Sequence, residues 1–247
     1  MHSKDGANVL AATSSVPISV ILRTVWNDMG DIFVRLRGQS VTALSIVVVL
    51  RIVGAVPAIS SNPVFSETFD LMSTMAILPF EIAIFRLLVL DETATGYHFA
   101  ISTVRFQRML GWSVALWAIG TIPIYLPYAA GIAAIVMAIL LPAIAVDAPG
   151  ASIGNAFADT RGHAWFILKA YLTVVLPFVV LILLATVLAW LGGGSDVFSR
   201  SGGGSVAGNA FFGALGFLNV TSVAIVSARL LMMIGDRVKG VVPGAPE

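Results

Sequence analysis

Six long apolar runs separated by short polar or charged clusters set the pattern of this chain. They fall at roughly 41 to 60, 67 to 90, 111 to 128, 129 to 146, 165 to 191 and 208 to 234. Each is close to the ~20 residues that a bilayer core requires of a spanning helix. A different period precedes the first run. Ile18, Ile21, Leu22, Val25, Met29, Ile32, Phe33 and Leu36 recur at helical spacing, with Ser19, Asn27, Asp28, Asp31 and Arg35 on the other face. Pro17 suits the first turn of that helix and Gly38 its end. An amphipathic helix leading straight into a spanning segment is expected to lie in the membrane interface. The pattern therefore predicts an all-α, polytopic membrane protein: six transmembrane helices with three interfacial amphipathic helices.

The other two interfacial helices are read from weaker patterns. One is predicted at about Gly96 to Leu110, with Tyr97, Ile101 and Val104 toward the membrane and His98, Ser102 and Arg105 exposed. The other sets Ile153, Ala156, Phe157 and Thr160 opposite Asn155 and Asp159. Each is followed by two apolar runs, which divides residues 17–234 into three helix-plus-hairpin units at about 17–90, 91–146 and 147–234. A flexible cytoplasmic N-terminus (1–16) and a cytoplasmic tail (235–247) flank them. Literal correspondences support a repeat: Arg108-Met-Leu-Gly-Trp112 is similar to Arg161-Gly-His-Ala-Trp165, and Arg86-Leu-Leu to Arg229-Leu-Leu, with Asp91 or Asp236 following.

Charge fixes the expected orientation. When the six runs are threaded alternately through a bilayer, Lys4, Arg23, Arg35, Arg37, Arg86, Arg105, Arg108, Arg161, Lys169, Arg229, Arg237 and Lys239 fall at the ends or loops of one side. Arg51 sits inside the first run and Arg200 is exported. By the positive-inside rule, both termini are expected in the cytoplasm of a bacterial cell, with the chain in the inner (plasma) membrane. Composition agrees: 58% of residues are hydrophobic and 11% charged, against about 25% charged in soluble domains. A net charge of +1 leaves no basic surface for nucleic acid, so no nucleic-acid partner is expected. Zero cysteines exclude disulfides, thiolate metal sites and a cysteine nucleophile. Residues 1–16 lack the pattern of a cleaved secretory signal. The exported stretch at 192–207 is rich in Gly and Ser and reads as a flexible connector.

Candidate chemistry is sparse. Gly150-Ala-Ser152-Ile-Gly154 matches the Gly-x-Ser-x-Gly nucleophile elbow formally, with Asp159 and His163 nearby. That chemistry needs a serine on a sharp strand-to-helix turn, whereas an apolar run and Pro149 precede this one, so Ser152 reads as a helix cap. His98 and His163 could join Asp91, Glu92, Asp147 or Asp159 at a metal, but their spacing is not diagnostic and no metal is expected. Asp91, Glu92 and Asp147 read as helix ends. Arg51 and Glu81 stand apart. Counted from positions 41 and 90, they lie roughly 15 and 14 Å from the same side, where an unpaired charge costs about 2.5 to 3.5 kcal/mol. They form a candidate intramembrane ion pair. The alternatives are that Arg51 snorkels to the interface, that Glu81 is protonated, or that the two serve transport or a proton relay.

The stretch Leu141-Pro142-Ala-Ile-Ala-Val-Asp147, then Ile153-Gly-Asn-Ala156-Phe157 and Thr160-Arg-Gly162-His-Ala-Trp165-Phe-Ile-Leu168 resembles the turn-helix-membrane signature of the YciC-like bacterial inner-membrane proteins. It is similar also to the membrane domain attached to some glycerophosphodiester phosphodiesterases. Arg86-Leu-Leu-Val-Leu-Asp91-Glu92 fits the same pattern. The resemblance is specific over about 35 residues and architectural elsewhere. It implies a six-span, non-catalytic membrane domain with no catalytic residue to carry over. The expected function is that of a non-catalytic inner-membrane protein that organises lipid or partner proteins, without a cofactor. Membrane lipid and a membrane-protein partner are the expected contacts, and a permease-like transporter component is the alternative.

Overall fold

The computed structural model describes residues 18–56, 59, 61–93, 96–121, 138–191 and 206–240, and among them there is no strand. The helices are α1 (Ile18–Arg35), α2 (Arg37–Gly54), α3 (Pro63–Leu90), α4 (Val104–Thr121), α5 (helical residues 138–145), α6 (Ile153–Thr160), α7 (Ala164–Leu191), α8 (Val206–Ile234) and α9 (Asp236–Lys239). Four are long and apolar enough to cross a membrane: α2, α3 over Leu71–Leu90, α7 over Ala164–Leu188, and α8. They correspond to the first, second, fifth and sixth expected runs. The third and fourth runs are described only to 121, in α4, and from 138, in α5. The rest of those runs, the N-terminus 1–16, residues 192–205 and 241–247 lie outside the described residues.

The core is built around α8, which packs on α1, α2, α3 and α7 and then turns into α9. Apolar periodicity gives way here to burial on several faces, as in Leu215, Phe217, Ile225, Val226 and Leu231. Phe217 stacks on Phe33 of α1 and Phe80 of α3, at ring-centroid separations of 6.2 and 5.2 Å. Small residues allow the closest approach: a Cβ on Gly213 would lie 3.3 Å from the Val48 Cα of α2. By contrast α7 is largely exposed along Leu172, Leu176, Val180, Leu183 and Leu188, the surface expected of a helix facing lipid. Tyr171 ties its first turns to α8 through a 2.6 Å hydrogen bond with Ser227.

Helix α1 departs from its expected role. Its apolar stripe is turned inward: Val25, Met29, Ile32 and Leu36 are at most 3% exposed, against α7 and α8. Val20, Trp26 and Val34 remain outside. The amphipathic period is real, but protein rather than lipid covers it. Nor does α1 end at Gly38. Leu36 makes the bend (φ −108°, ψ 31°), with its N–H on Ile32 O and its carbonyl accepting from Ser40 N, so α2 starts at Arg37.

The second interfacial helix, expected at about Gly96 to Leu110, does not form there. Residues 96–103 form no helix, and α4 runs without a break from Val104 through Gly111 and Trp112 to Thr121. Thr103 Oγ1 accepts from Phe106 N and starts α4. Of the apolar residues assigned to one helical face, Ile101 and Val104 are exposed, and Tyr97 packs on the core from a loop that folds onto the bundle. Gly96 O accepts from the buried Gln39 of α2 at 3.1 Å, the Tyr97 hydroxyl donates to Ala76 O of α3, and Phe99 packs edge-on between Tyr97 and Phe106. The third expected helix is present as α6.

Candidate functional site

The polar chemistry of the described residues concentrates at one end of the bundle, where α1, α3, α5 and α8 finish and α2, α4 and α7 begin. Two aspartates close helices there in the left-handed region, Asp91 at φ 55° and Asp147 at φ 54°. Asp tolerates this conformation better than most residues because its short side chain bonds locally. Glu92 N reaches back to Arg86 O, and Ala148 N to Ala143 O, so helix-end carbonyls are satisfied. The helix-ending roles expected of Asp91 and Asp147 are thus present. Both carboxylates also bind across the fold. Asp91 pairs with Arg35 of α1 at 2.7 Å, and Asp147 bridges Arg105 of α4 and Arg86 of α3, the latter at 3.6 Å. Arg86 also pairs with Glu92 and reaches Ala145 O at 3.3 Å.

Two further contacts join segments far apart in sequence. Asp28 of α1, expected on the solvated face, is 8% exposed. It accepts two hydrogen bonds from Arg229 of α8, at 2.7 and 2.5 Å, a bidentate geometry that is the stronger form of this pair. Asp159 of α6, also assigned to the solvated face, has a side chain only 5% exposed. Its Oδ2 accepts from Val238 N at 3.0 Å at the start of α9. Burial pushes the Asp159 carboxyl up from its ordinary value, against the pull of the Val238 and Arg237 N–H groups. Neither partner is near in sequence, so local periodicity gave no signal for either.

The nucleophile-elbow look-alike is part of the same junction. Ser152 sits in extended geometry (φ −135°, ψ 154°) before α6, and its hydroxyl accepts from Asn155 N at 3.3 Å. This is the expected cap. Gly150 donates to Val238 O at 3.0 Å, and a Cβ there would lie 2.0 Å from Arg237 O. The first glycine of the motif is therefore required by the passage of α9. Asp159 and His163, near the motif in sequence, do not share a helix, because α6 ends at Thr160 and Asp159 turns to α9. Among the described residues no three His, Asp or Glu side chains converge in a metal-binding group.

Arg51 and Glu81 line one cavity of about 130 Å³ between α2, α3 and α8, together with Ser73, Thr74, Gly213 and Gly216. Among the described residues Glu81 has no hydrogen-bond or ion-pair partner within the fold, while Arg51 has a contact of its own. The matched depths expected of them are offset. Because α2 begins at Arg37 rather than near 41, Arg51 stands about 21 Å along its helix and Glu81 about 14 Å from the end of α3. Contact between Gly54 and Phe69 fixes this register. From the loop side, Tyr97 approaches the same region: burial, then the Glu81 charge, pushes its hydroxyl up to about 12.

Comparison with protein-family models, curated proteins and solved structures returns no match to this chain. The class defined by the fold is accordingly the general one, a helical chain with four helices, among the described residues, fit to cross a membrane.

Proposed function

We propose that this is a non-catalytic, multi-pass inner-membrane protein with six spans and both termini cytoplasmic, which organises lipid or a partner protein at the cytoplasmic face. The observation that carries the reading is the convergence of the segments assigned to the cytoplasm at one end of the bundle. Arg35 meets Asp91, Arg105 meets Asp147 and Gly150 meets Val238. A chain that leaves this end in α4 and is back by Asp147 favours two crossings between them, which gives six in all. The likeness of residues 141–168 to YciC-like proteins and to phosphodiesterase-linked membrane domains belongs to the same proposal. Supporting a non-catalytic role, the formal serine motif serves as a cap and a close-packed turn.

The permease-like alternative rests on the Arg51 and Glu81 cavity and on Asn219, whose buried Oδ1 has no hydrogen-bond partner among the described residues. The cavity volume of about 130 Å³ suits a few waters, whereas ligand pockets run from about 300 Å³ upward. One reconstitution separates the readings. The full chain in vesicles of mixed phosphatidylglycerol and phosphatidylcholine should redistribute labelled lipids, read by energy transfer, without raising proton flux. Proton flux abolished by Glu81→Gln would establish the permease reading instead.

A further inference from the structure

Two apolar grooves open on the sides of α8, and they differ in one respect. The groove between α1, α7 and α8, about 230 Å³, is lined by Val20, Phe166, Val226 and Arg229, and its arginine is already neutralised by Asp28. The other, about 290 Å³, lies where the α1–α2 bend meets α8 and is lined by Phe33, Arg37, Val41, Leu44, Ala214 and Leu218. Its arginine has no carboxylate partner among the described residues, unlike Arg35, Arg86, Arg105, Arg229 and Arg237.

Arg37 is the first residue of the spanning helix α2, so it stands at the depth of lipid headgroups. Below it, Val41 and Leu44 follow on one face of α2. The run from Arg37 to Leu44 covers about 10 Å of helix, within the ~15 Å thickness of one leaflet. The Phe217–Phe33 stack forms the wall on the α8 side. The charge at the mouth and the apolar length beneath it match a molecule with an anionic phosphate head and a hydrocarbon tail. A guanidinium suits that head because it donates in a fork to phosphate oxygens.

We infer that this groove is a site for an anionic glycerophospholipid, with the phosphate on Arg37 and an acyl chain along Val41, Leu44 and Ala214. The inference deepens the proposed lipid-organising function and rests on it for the identity of the occupant.

The test is native mass spectrometry of the full-length protein released from micelles holding equimolar phosphatidylglycerol and phosphatidylcholine with identical chains. Retained phosphatidylglycerol should exceed phosphatidylcholine about fivefold, the equivalent of the ~1 kcal/mol that one basic residue contributes near an anionic surface. Arg37→Gln should bring the ratio to about one. Arg23→Gln, an equal change of charge at an exposed position outside the groove, should leave it unchanged. Ala214→Phe, with helicity checked by circular dichroism, should lower retention of both lipids. A preference that survives Arg37→Gln, or that falls equally in Arg23→Gln, overturns the site. Loss of the preference on adding inorganic phosphate shows a free-anion site and overturns the lipid assignment. If the preference is absent while the vesicles still redistribute lipid, the inference fails and the function stands. If Arg37-dependent retention persists without redistribution, the function fails and the site stands.

Discussion

Replacing Asp28 or Arg229 should loosen the attachment of α1 to the bundle more than any other single charge change. The Asp28 side chain is 11% exposed and that of Arg229 40%, and two short hydrogen bonds join them. A hydrogen bond to a charged group contributes roughly 1.5 to 3 kcal/mol, and a buried carboxylate left alone costs more. Because Arg229 is partly exposed, water and headgroups compensate some of its loss. Arg229→Gln, which strands Asp28, is therefore expected to cost about 3 kcal/mol, and Asp28→Asn about 2 kcal/mol, from the same comparison. The double variant should lose less than the sum, with a coupling of about 1.5 kcal/mol. Equilibrium unfolding of the purified full chain in bicelles, followed by Trp26 fluorescence and helicity, measures all four corners of the cycle. Additive losses, with a coupling below about 0.5 kcal/mol, would refute the pairing and leave α1 held by its apolar stripe alone.

Three other perturbations read separate parts of the fold. Gly150→Ala, whose methyl would meet Arg237 O, should destabilise the α6–α9 junction by about 2 kcal/mol and speed proteolysis after Lys239; an unchanged digestion pattern counts against the close packing. Asp159 has its carboxyl raised on folding, so its contribution is fullest below its unfolded value near 4 and falls as pH climbs through the raised one. Asp159→Asn keeps the acceptor for Val238 N and should match the wild type at acidic pH and melt higher at pH 8, so a lower Tm at pH 8 would reverse the sign assigned here. Arg51→Leu and Glu81→Leu, offset along their helices, should lose stability additively in the same unfolding assay; a coupling above about 1 kcal/mol would restore the direct ion pair.

What could be read along the chain was what depends on near neighbours. Runs of apolar residues marked α2, α3, α7 and α8, because length and composition suffice for a spanning helix. Ser152 and the left-handed aspartates were legible for a similar reason, since caps act within a few residues. The amphipathic stripe of α1 was visible, but its period does not say whether protein or lipid covers it. The partner of Asp28 lies 201 residues away and that of Asp159 lies 79 residues away, so both read as solvated. The position of Arg51 along its helix was not legible, because the bend at Leu36, rather than a glycine, sets where α2 begins. At 96–103 the spacing of Tyr97, Ile101 and Val104 suited a helix, yet burial of the Tyr97 ring and its bond to Ala76 O outweigh so weak a local preference.

The central claim is that segments spread along the chain meet on one side of the membrane, and the absence of native cysteines allows a direct test. Single Asn27→Cys, Thr93→Cys, Arg161→Cys and Ser195→Cys variants, exposed to a membrane-impermeant maleimide in intact spheroplasts and in inverted vesicles, report the side of each position. The account predicts labelling of positions 27, 93 and 161 in inverted vesicles alone and of position 195 in spheroplasts alone. Labelling of position 93 or 161 in intact spheroplasts would contradict it, because the ion pairs Arg35–Asp91 and Arg105–Asp147 could not then form at one face.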